Sequence, residues 1–430
     1  MLHSENPEVR RLLLNGNIGL EKESLRVNEE GFLAKTPHPF SKEDHITRDF
    51  CENQVEINTP VAHSPQEAVA FLDFYYKKIQ KKLAEQAPLE YLWPFSNPAF
   101  IRKEEDIPIA LFSGDQASKG EYRQYLSNRY GRYKMTFCGI HFNYSFGEDL
   151  LQADFALSGK EDYQEYKNEF YIDLAQGAAE YGWILTAVTA ASPLLDSSFM
   201  EKGRFGDDAF HGMASMRASE LGYWNSFSPI FDYTNLSTYI DSIQEYVTQG
   251  LLAFPTELYY PIRLKPRGKN LLETLGQQGV DHIELRMIDL NPLVPVGIDI
   301  RDVTFAQLLL VWLACTPRES LTIQDQVQAV QNFKNAAHYD LKTVNIVNRL
   351  GKAVPVADAA LDVLDQMLAF FQDFSEEIIQ VLAFQRAKFE NAENRYAWHI
   401  REQYKEGFVK KGLELAKKRQ QEALEEAEDV

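Results

Sequence analysis

Gly19-Leu-Glu-Lys-Glu-Ser-Leu-Arg26 is the stretch whose reading decides the fold. It lies inside Ile18 to Val27, which reads as a strand leading into the turn Asn28-Glu-Glu-Gly31. Glu21 and Glu23 are two residues apart, so on a strand they point to the same side. Two like charges side by side are unfavourable, and a hard divalent cation such as Mg²⁺ removes that repulsion by binding carboxylate oxygens. Taken alone, such a pair reads more simply as two solvated glutamates. It needs partners.

Three further segments supply them. In Asp49-Phe-Cys-Glu-Asn-Gln-Val-Glu56, the strand beginning near Gln54 puts Glu52, Gln54, Glu56 and Asn58 on one face, against Val55 and Ile57 on the other. In Cys138-Gly-Ile-His-Phe-Asn-Tyr-Ser145, His141, Asn143 and Ser145 share a face opposite Phe142 and Tyr144. A lone histidine on a strand is more often structural, yet imidazole among carboxylates is a competent divalent-metal ligand. In Asp281-His-Ile-Glu-Leu-Arg-Met-Ile-Asp289, Glu284 and Arg286 oppose Ile283, Leu285 and Met287. If the four polar faces line one concave sheet, carboxylates and an imidazole converge on a basin that is costly without cations. A basin loaded with Mg²⁺ suits polyphosphate, with basic residues holding the remainder. Arg263, Lys265 and Arg267 alternate on one face of the strand read over Tyr259 to Lys265, and Arg286 and Arg217 add to them; charge balance is the competing reading.

Around these strands the chain reads as helices over Pro7 to Leu14, Gln66 to Ala84, Tyr122 to Tyr130, Tyr163 to Ala190 and Leu236 to Tyr246. Beyond Thr304 the pattern is helical throughout: Phe305 to Ala314, Gln324 to Ala337, Ala357 to Gln385 and Asn391 to Lys418. The final segment, Lys410 to Val430, is dense in Lys and Glu and reads as a solvated helix, a linker or a frayed tail. Strands separated by helices of varied length, without a βαβ rhythm, predict an α+β fold with an antiparallel sheet. Residues 1–315 form the expected catalytic core, and 316–430 a helical C-terminal region packed on it and ending in a charged tail. No GxGxxG or Walker A loop is present, so any nucleotide is held another way.

The 430 residues carry 44 Lys+Arg against 63 Asp+Glu, a net charge of −19 that disfavours nucleic acid and anionic membranes as partners. With 45% hydrophobic and 12% aromatic residues the chain is a folded protein. Cys51, Cys138 and Cys315 are odd in number and widely spaced, with no CxxC pair, which fits a reducing compartment. No run approaches the roughly 20 apolar residues needed to span a bilayer, so the expected location is the cytoplasm.

Several of these segments resemble bacterial glutamate–cysteine ligases (γ-glutamylcysteine synthetases), including the first part of fused glutathione-synthesising enzymes. The resemblance rests on Gly19 through Val27, Asp49 through Pro60, Leu92-Trp-Pro-Phe-Ser-Asn-Pro98, Asn128-Arg-Tyr-Gly131, Gly139-Ile-His-Phe-Asn-Tyr-Ser145, Ala191-Ser-Pro193, Ser215-Met-Arg-Ala-Ser-Glu-Leu-Gly-Tyr223, Glu257-Leu-Tyr259, and Ile283-Glu-Leu-Arg286 through Asp289-Leu-Asn-Pro292. These are collinear over roughly residues 18 to 315, and the last third matches loosely.

The resemblance implies a glutamine-synthetase-like fold, a curved antiparallel sheet forming a funnel with metals and ATP at its base. It implies ligation of L-glutamate to L-cysteine with ATP, through γ-glutamyl phosphate, as the first step of glutathione biosynthesis. Glu21, Glu23, Asp49, Glu56, His141 and Glu284 would hold Mg²⁺, with Mn²⁺ as an alternative ion. Arg217 would bind the glutamate carboxylate, and Tyr122, Tyr223, Tyr259 and Phe50, with Asn143, would shape the substrate pocket. Arg263, Lys265 and Arg286 would face ATP, with Arg286 and Glu284 closest to the chemistry. No activated nucleophilic side chain is in view, and this route needs none. A fused enzyme would continue into an ATP-grasp domain; this sequence ends at Val430 without one, so glutathione itself is not the expected product of this stretch, and composition leaves open whether Lys410 to Val430 is a native end or a helix leading into the partner domain of a larger fused enzyme. A glutamate ligase for another amine, and a non-catalytic Mg-nucleotide-binding regulator, are the rival readings. Oligomeric state is not set by the sequence, a monomer being the simpler expectation.

Overall fold

The computed structural model describes residues 1–40, 45–112, 117–222 and 224–428. Its elements run in chain order α1 (Pro7–Leu12), β1 (Gly16–Asn28), β2 (Ile46–Arg48), β3 (Gln54–Asn58), α2 (Pro65–Ala84), β4 (Glu90–Leu92), α3 (Ala117–Tyr130), β5 (Gly139–Phe146), α4 (Glu148–Ser158), α5 (Tyr163–Tyr181), α6 (Trp183–Thr189), β6 (Leu195–Asp196), α7 (Ser197–Met200) and β7 (Asp208–Ala209). There follow α8 (Leu236–Thr248), β8 (Ile262–Lys265), α9 (Leu272–Gln278), β9 (His282–Asp289), α10 (Ile300–Cys315), α11 (Ile323–Ala336), β10 (Asn345–Val347), β11 (Ala353–Pro355), α12 (Val356–Phe371), α13 (Glu376–Glu390), α14 (Tyr396–Tyr404) and α15 (Phe408–Glu428).

The expected α+β architecture is what forms. One sheet runs β2-β3-β1-β5-β9-β8, with β4 joined to the far end of β1, and every pairing in it is antiparallel. The apolar faces read from sequence all point the same way: Leu20, Ile57, Phe142, Ile283 and Leu285 are each at most 2% exposed. Behind them lies α10, apolar nearly all round and buried from Val303 to Cys315 apart from Thr304, the pattern of a helix with neighbours on every side. Helix starts are conventional. Ser64 accepts from the Glu67 amide at 3.1 Å ahead of α2, and Thr322 and Asp325 form a capping box on α11.

Several expected elements are divided by local chemistry. The helix read over Tyr163 to Ala190 breaks at Gly182, where a Cβ would lie 2.4 Å from the Ala178 carbonyl oxygen and 2.8 Å from the Phe333 ring. The strand read from Tyr259 begins at Ile262, because Pro261 has no amide to give the ladder. The run over Ala357 to Gln385 is two helices, α12 and α13, and the helical last third also contains the hairpin β10–β11. The tail read from Lys410 is helical through residue 428 and does not stand free in solvent: α15 lies along α2, burying Val409, Ala416 and Ala423. Its polar residues dock it as well. Gln420 donates to the Glu90 carbonyl at 2.9 Å, Arg419 to that of Pro292 at 2.8 Å, and Glu426 pairs with Lys77 at 2.6 Å.

The helical layer is pinned by a buried ion pair. Asp302 of α10 accepts from Lys388 of α13 at 3.3 Å, from Gln385 at 2.9 Å and from Tyr396 of α14 at 2.9 Å, while Lys388 also donates to the Val188 carbonyl at 2.8 Å. Lys388 and Asp302 are 1% and 2% exposed. Removing one partner strands the other charge in the interior. Asp302→Ala is therefore expected to lose about 3–5 kcal/mol in urea unfolding, and joint replacement by Asp302→Leu and Lys388→Met distinctly less; equal losses would mean the pair is not the source of the effect.

Candidate active site

The register of the ladders, more than any single motif, assembles the polar face. In antiparallel strands, directly opposed residues share a face, and here Glu23 stands opposite Glu56, Glu21 opposite His141, Asn143 opposite Glu284, and Arg263 opposite Glu284 from the other side. The β5–β9 register shifts between Ile140 and Phe142, a bulge beside His141 that re-aims side chains locally. The result is one band of acidic, imidazole and basic groups across β3, β1, β5, β9 and β8.

At its centre Glu21, His141 and Glu284 each offer an atom within 4.8 Å of the others. His141 Nδ1 lies 3.0 Å from Glu21 and 3.5 Å from Glu284, while Nε2 lies 3.8 Å from Glu23. Asn143 Nδ2 donates to Glu21 at 3.1 Å. Lys265 Nζ is 3.0 Å from Glu284 and 3.6 Å from Glu21, and Arg286 is 3.1 Å from Glu284. Glu284 is wholly buried and its Oε2 has no hydrogen-bond partner, an arrangement that suits an oxygen reserved for a ligand. Burial and the Arg286 charge hold the His141 pKa down, leaving a neutral imidazole, the form that binds metal. Burial opposes ionisation of Glu284 as well, but the Arg286 and Lys265 charges beside it keep it ionised.

Beside this trio is a second acidic group. Asp49 precedes β3 in the turn from β2, and its charge is among the causes that raise the pKa values of Glu23 and Glu56 after burial itself, Glu56 to about 8. Glu23 accepts from the Gly139 amide at 3.2 Å. Buried carboxylates whose ionisation is opposed for want of a counter-charge are what a second divalent cation would complete. The donor set of six, carboxylates with one imidazole, fits Mg²⁺ or Mn²⁺.

Both groups line one cleft of about 780 Å³ that also contains Phe50, Tyr122, Tyr259, Arg263, Lys265 and Arg286. Arg263 donates to the Leu258 carbonyl at 2.7 Å, tying β8 to the loop that carries Tyr259. Arg217, with Arg286 and Tyr259, lines an adjoining recess of about 60 Å³, and its Nη2 is 3.4 Å from His141 Nε2. Asn143 opens on the other side with Glu21, toward a cavity of about 450 Å³. Tyr223 lies outside the described residues.

Two expectations are corrected. Glu52 falls in the turn before β3, not on its polar face, and pairs with Arg48 at 2.7 Å. Arg267 lies past the end of β8 and lines the 450 Å³ cavity instead of the cleft. Sequence patterning does not single out Arg123 of α3, which donates to the Asp49 carbonyl and lines the cleft; its only signal is a cation next to Tyr122. Phe254, stacked edge-on against Tyr122 at 5.3 Å, escapes it too. Cys51 and Cys138 are buried thiols pushed up by burial, Cys138 well above the ordinary value, which leaves no reactive thiolate.

A family model described as glutamate-cysteine ligase matches residues 2–255 and 245–336. A glutathione biosynthesis bifunctional protein of Listeria monocytogenes is 34% identical, over 96% of this chain and 55% of its own length, and that of Clostridium perfringens is 31% identical, over 89% and 49%. The chain thus spans about half the length of the curated relatives it matches. In fold it is similar to a bifunctional glutathione synthetase from Pasteurella multocida, with TM-score 0.84, 24% identity, 98% of this chain and 54% of that one. It is equally similar to a glutamate–cysteine ligase from Francisella tularensis, solved with AMP, with TM-score 0.84, 24% identity, 95% of this chain and 89% of that one. Among the described residues no helix is long and apolar enough to cross a membrane.

Proposed function

Because the chain belongs to the glutamate–cysteine ligase family, we propose that it joins the γ-carboxylate of L-glutamate to the amine of L-cysteine at the expense of ATP, the first step of glutathione biosynthesis. The observation that carries this reading is the convergence of Glu21, His141 and Glu284 with Glu23, Asp49 and Glu56 in one cleft rimmed by Lys265, Arg263 and Arg286. Such a cleft holds polyphosphate through cations and guanidinium groups together.

A carboxylate is a poor acyl donor because its oxygen leaves badly. Attack of a γ-carboxylate oxygen on the terminal phosphorus of ATP releases ADP and makes γ-glutamyl phosphate; attack of the cysteine amine on the acyl carbon then expels phosphate. Divalent cations at the two acidic groups supply charge neutralisation during phosphoryl transfer. The chain's own residues position the reactants. Arg286, locked against Glu284 on a strand, presents a planar fork to the transferred phosphoryl group, Arg263 and Lys265 face the remaining phosphates, and Arg217 takes the glutamate carboxylate. Phe50, Tyr122 and Tyr259 give the acceptor side chain an aromatic wall, to which Tyr223 is assigned by the sequence motif.

ADP release from Mg-ATP and L-glutamate, with and without L-cysteine, tests the proposal when the dipeptide is detected by mass. Cysteine-dependent ADP release with γ-glutamylcysteine formed is the expected result. ADP release with another amine instead would move the chain to a different acceptor, and none with any amine would remove catalysis.

Cation binding should also release protons. Glu56, at about 8, carries a proton near neutral pH that the bound ion must displace. Loading both acidic groups with Mg²⁺ is expected to release about one proton, read from calorimetric heats in buffers of different ionisation enthalpy. The linkage has a sign. Raised folded-state pKa values stabilise below the ordinary value of 4.5, and that stability is lost as pH rises through about 8. The metal-free protein should therefore melt lower at about pH 8 than at about pH 5, and Mg²⁺ should raise Tm more at the higher pH. Heats independent of buffer would dismiss Glu56 as a ligand.

A further inference from the structure

Arg217 sits on an irregular stretch, Met213 to Gly222, with no helix or strand to fix its direction. It is 7% exposed. Its guanidinium has few firm contacts: Nη1 reaches the Ile288 carbonyl at 3.4 Å, Nη2 lies 3.4 Å from His141, and the buried Nε has no hydrogen-bond partner. With so few hydrogen bonds at its tip, the guanidinium is aimed by its backbone and by the space over Gly139 on which it packs.

That backbone is tied down on both sides of the residue. The amide before it, Met216 N, donates to Ser192 Oγ at 3.1 Å, and the amide after it, Ala218 N, donates to Ser215 Oγ at 3.1 Å. Both serine hydroxyls in turn donate to one carboxylate. Ser192 Oγ is 2.7 Å from Asp289 Oδ2 and Ser215 Oγ is 2.9 Å from Asp289 Oδ1, and the Ala191 amide donates to Oδ2 at 2.9 Å. Asp289 is 1% exposed and ends β9, the strand that carries Glu284 and Arg286. It does not line the cleft.

We infer that Asp289 is a positioning residue for substrate binding: through Ser192 and Ser215 it fixes the backbone on either side of Arg217 and sets that guanidinium relative to Glu284 and Arg286. The inference rests on the proposed reading of Arg217 as the glutamate-carboxylate site. One carboxylate accepting three donors keeps both hydroxyls oriented outward from the same point, so their lone pairs face the two amides. An amide in its place offers one acceptor oxygen and turns a donor toward Ser192 or Ser215, so the hydroxyl it faces can no longer donate there and must redirect its proton, which loosens its hold on the adjoining backbone amide.

The test is a double-mutant cycle in the full chain. Asp289→Asn is expected to raise the glutamate KM about 10-fold or more, with kcat and the ATP KM within about threefold of the parent. In an Arg217→Ala background the same change should add less than about twofold, because the group it aims is gone. Joint Ser192→Ala and Ser215→Ala, which leaves the carboxylate in place, should reproduce the KM effect and serves as the readout if Asp289→Asn fails to fold. A merely structural carboxylate would lower kcat and raise both KM values together, and its effect would multiply with that of Arg217→Ala; either result overturns the inference. The unmutated chain separates the two levels of the argument. If it shows no glutamate-dependent ADP release, the proposed function fails; if it does and the glutamate KM is indifferent to Asp289, only the positioning role fails.

Discussion

Glu284→Gln is expected to abolish turnover, lowering kcat by about 10³-fold or more while the protein folds and melts as before. Three features of its surroundings make this the largest effect. Glu284 is the point at which the acidic trio meets the basic rim: within 3.5 Å of its Oε1 lie His141 Nδ1, Lys265 Nζ and an Arg286 nitrogen. Its second oxygen is buried without a partner, so the ligand donated is lost without a neighbour to replace it. The several kcal/mol that a divalent cation gives a phosphoryl-transfer transition state convert, at about 1.4 kcal/mol per decade, into a loss of that order. Glutamine keeps the shape and the ladder, so the strand should survive. The variant should also need far more Mg²⁺, seen as a right-shifted metal titration of ADP release. Turnover equal to the parent would remove Glu284 from the metal group. A loss of activity accompanied by a collapse in Tm would instead assign it to the fold.

That Glu284 is identifiable at all follows from the two-residue period of strands. Glu56, His141, Asn143 and Glu284 each alternate with apolar residues that must be buried, so the polar face of those strands is fixed by the apolar one, whereas Glu23, between Lys22 and Ser24, takes its face from Glu21 two residues before it. Once the ladders align, Glu23 with Glu56 and Glu21 with His141, the basin is a consequence of alternation repeated in neighbouring strands. What alternation cannot convey is lateral. Nothing periodic marks Arg217, whose loop is held by Asp289 from a distant part of the chain, or Arg123, which reaches the acidic group from a helix. The docking of α15 is hidden for a different reason. Part of its attachment is made by Arg419 and Gln420 donating to carbonyls, and a Lys- and Glu-rich helix that buries polar tips has the composition of a solvated one. Glu52 shows the converse error: period-two reasoning extended two residues beyond the strand put a turn residue on the sheet.

Gly139→Ala is expected to be nearly as damaging, although the change adds a single methyl group. Gly139 opens β5 directly beneath Arg217. A Cβ there would stand 2.2 Å from Arg217 Cζ and 2.5 Å from its Nε and Nη2, distances at which something must move. Arginine is flexible, so the sheet need not yield; the guanidinium would be driven off the strand, away from His141 and out of its place beside the cleft. The same residue's amide donates to Glu23 at 3.2 Å, a contact that a side chain pointing the other way leaves intact. The expected signature is therefore selective: glutamate KM raised about 100-fold, as for a misplacement of about 1 Å at a binding group, while the Mg²⁺ titration and melting temperature stay near those of the parent. A parent-like glutamate KM would show that Arg217 does not hold the substrate from this position. A loss of Mg²⁺ affinity in step with the loss of glutamate affinity would mean that the methyl group had displaced the strand and Glu23 with it, and that the space above Gly139 is not a slot kept for the arginine.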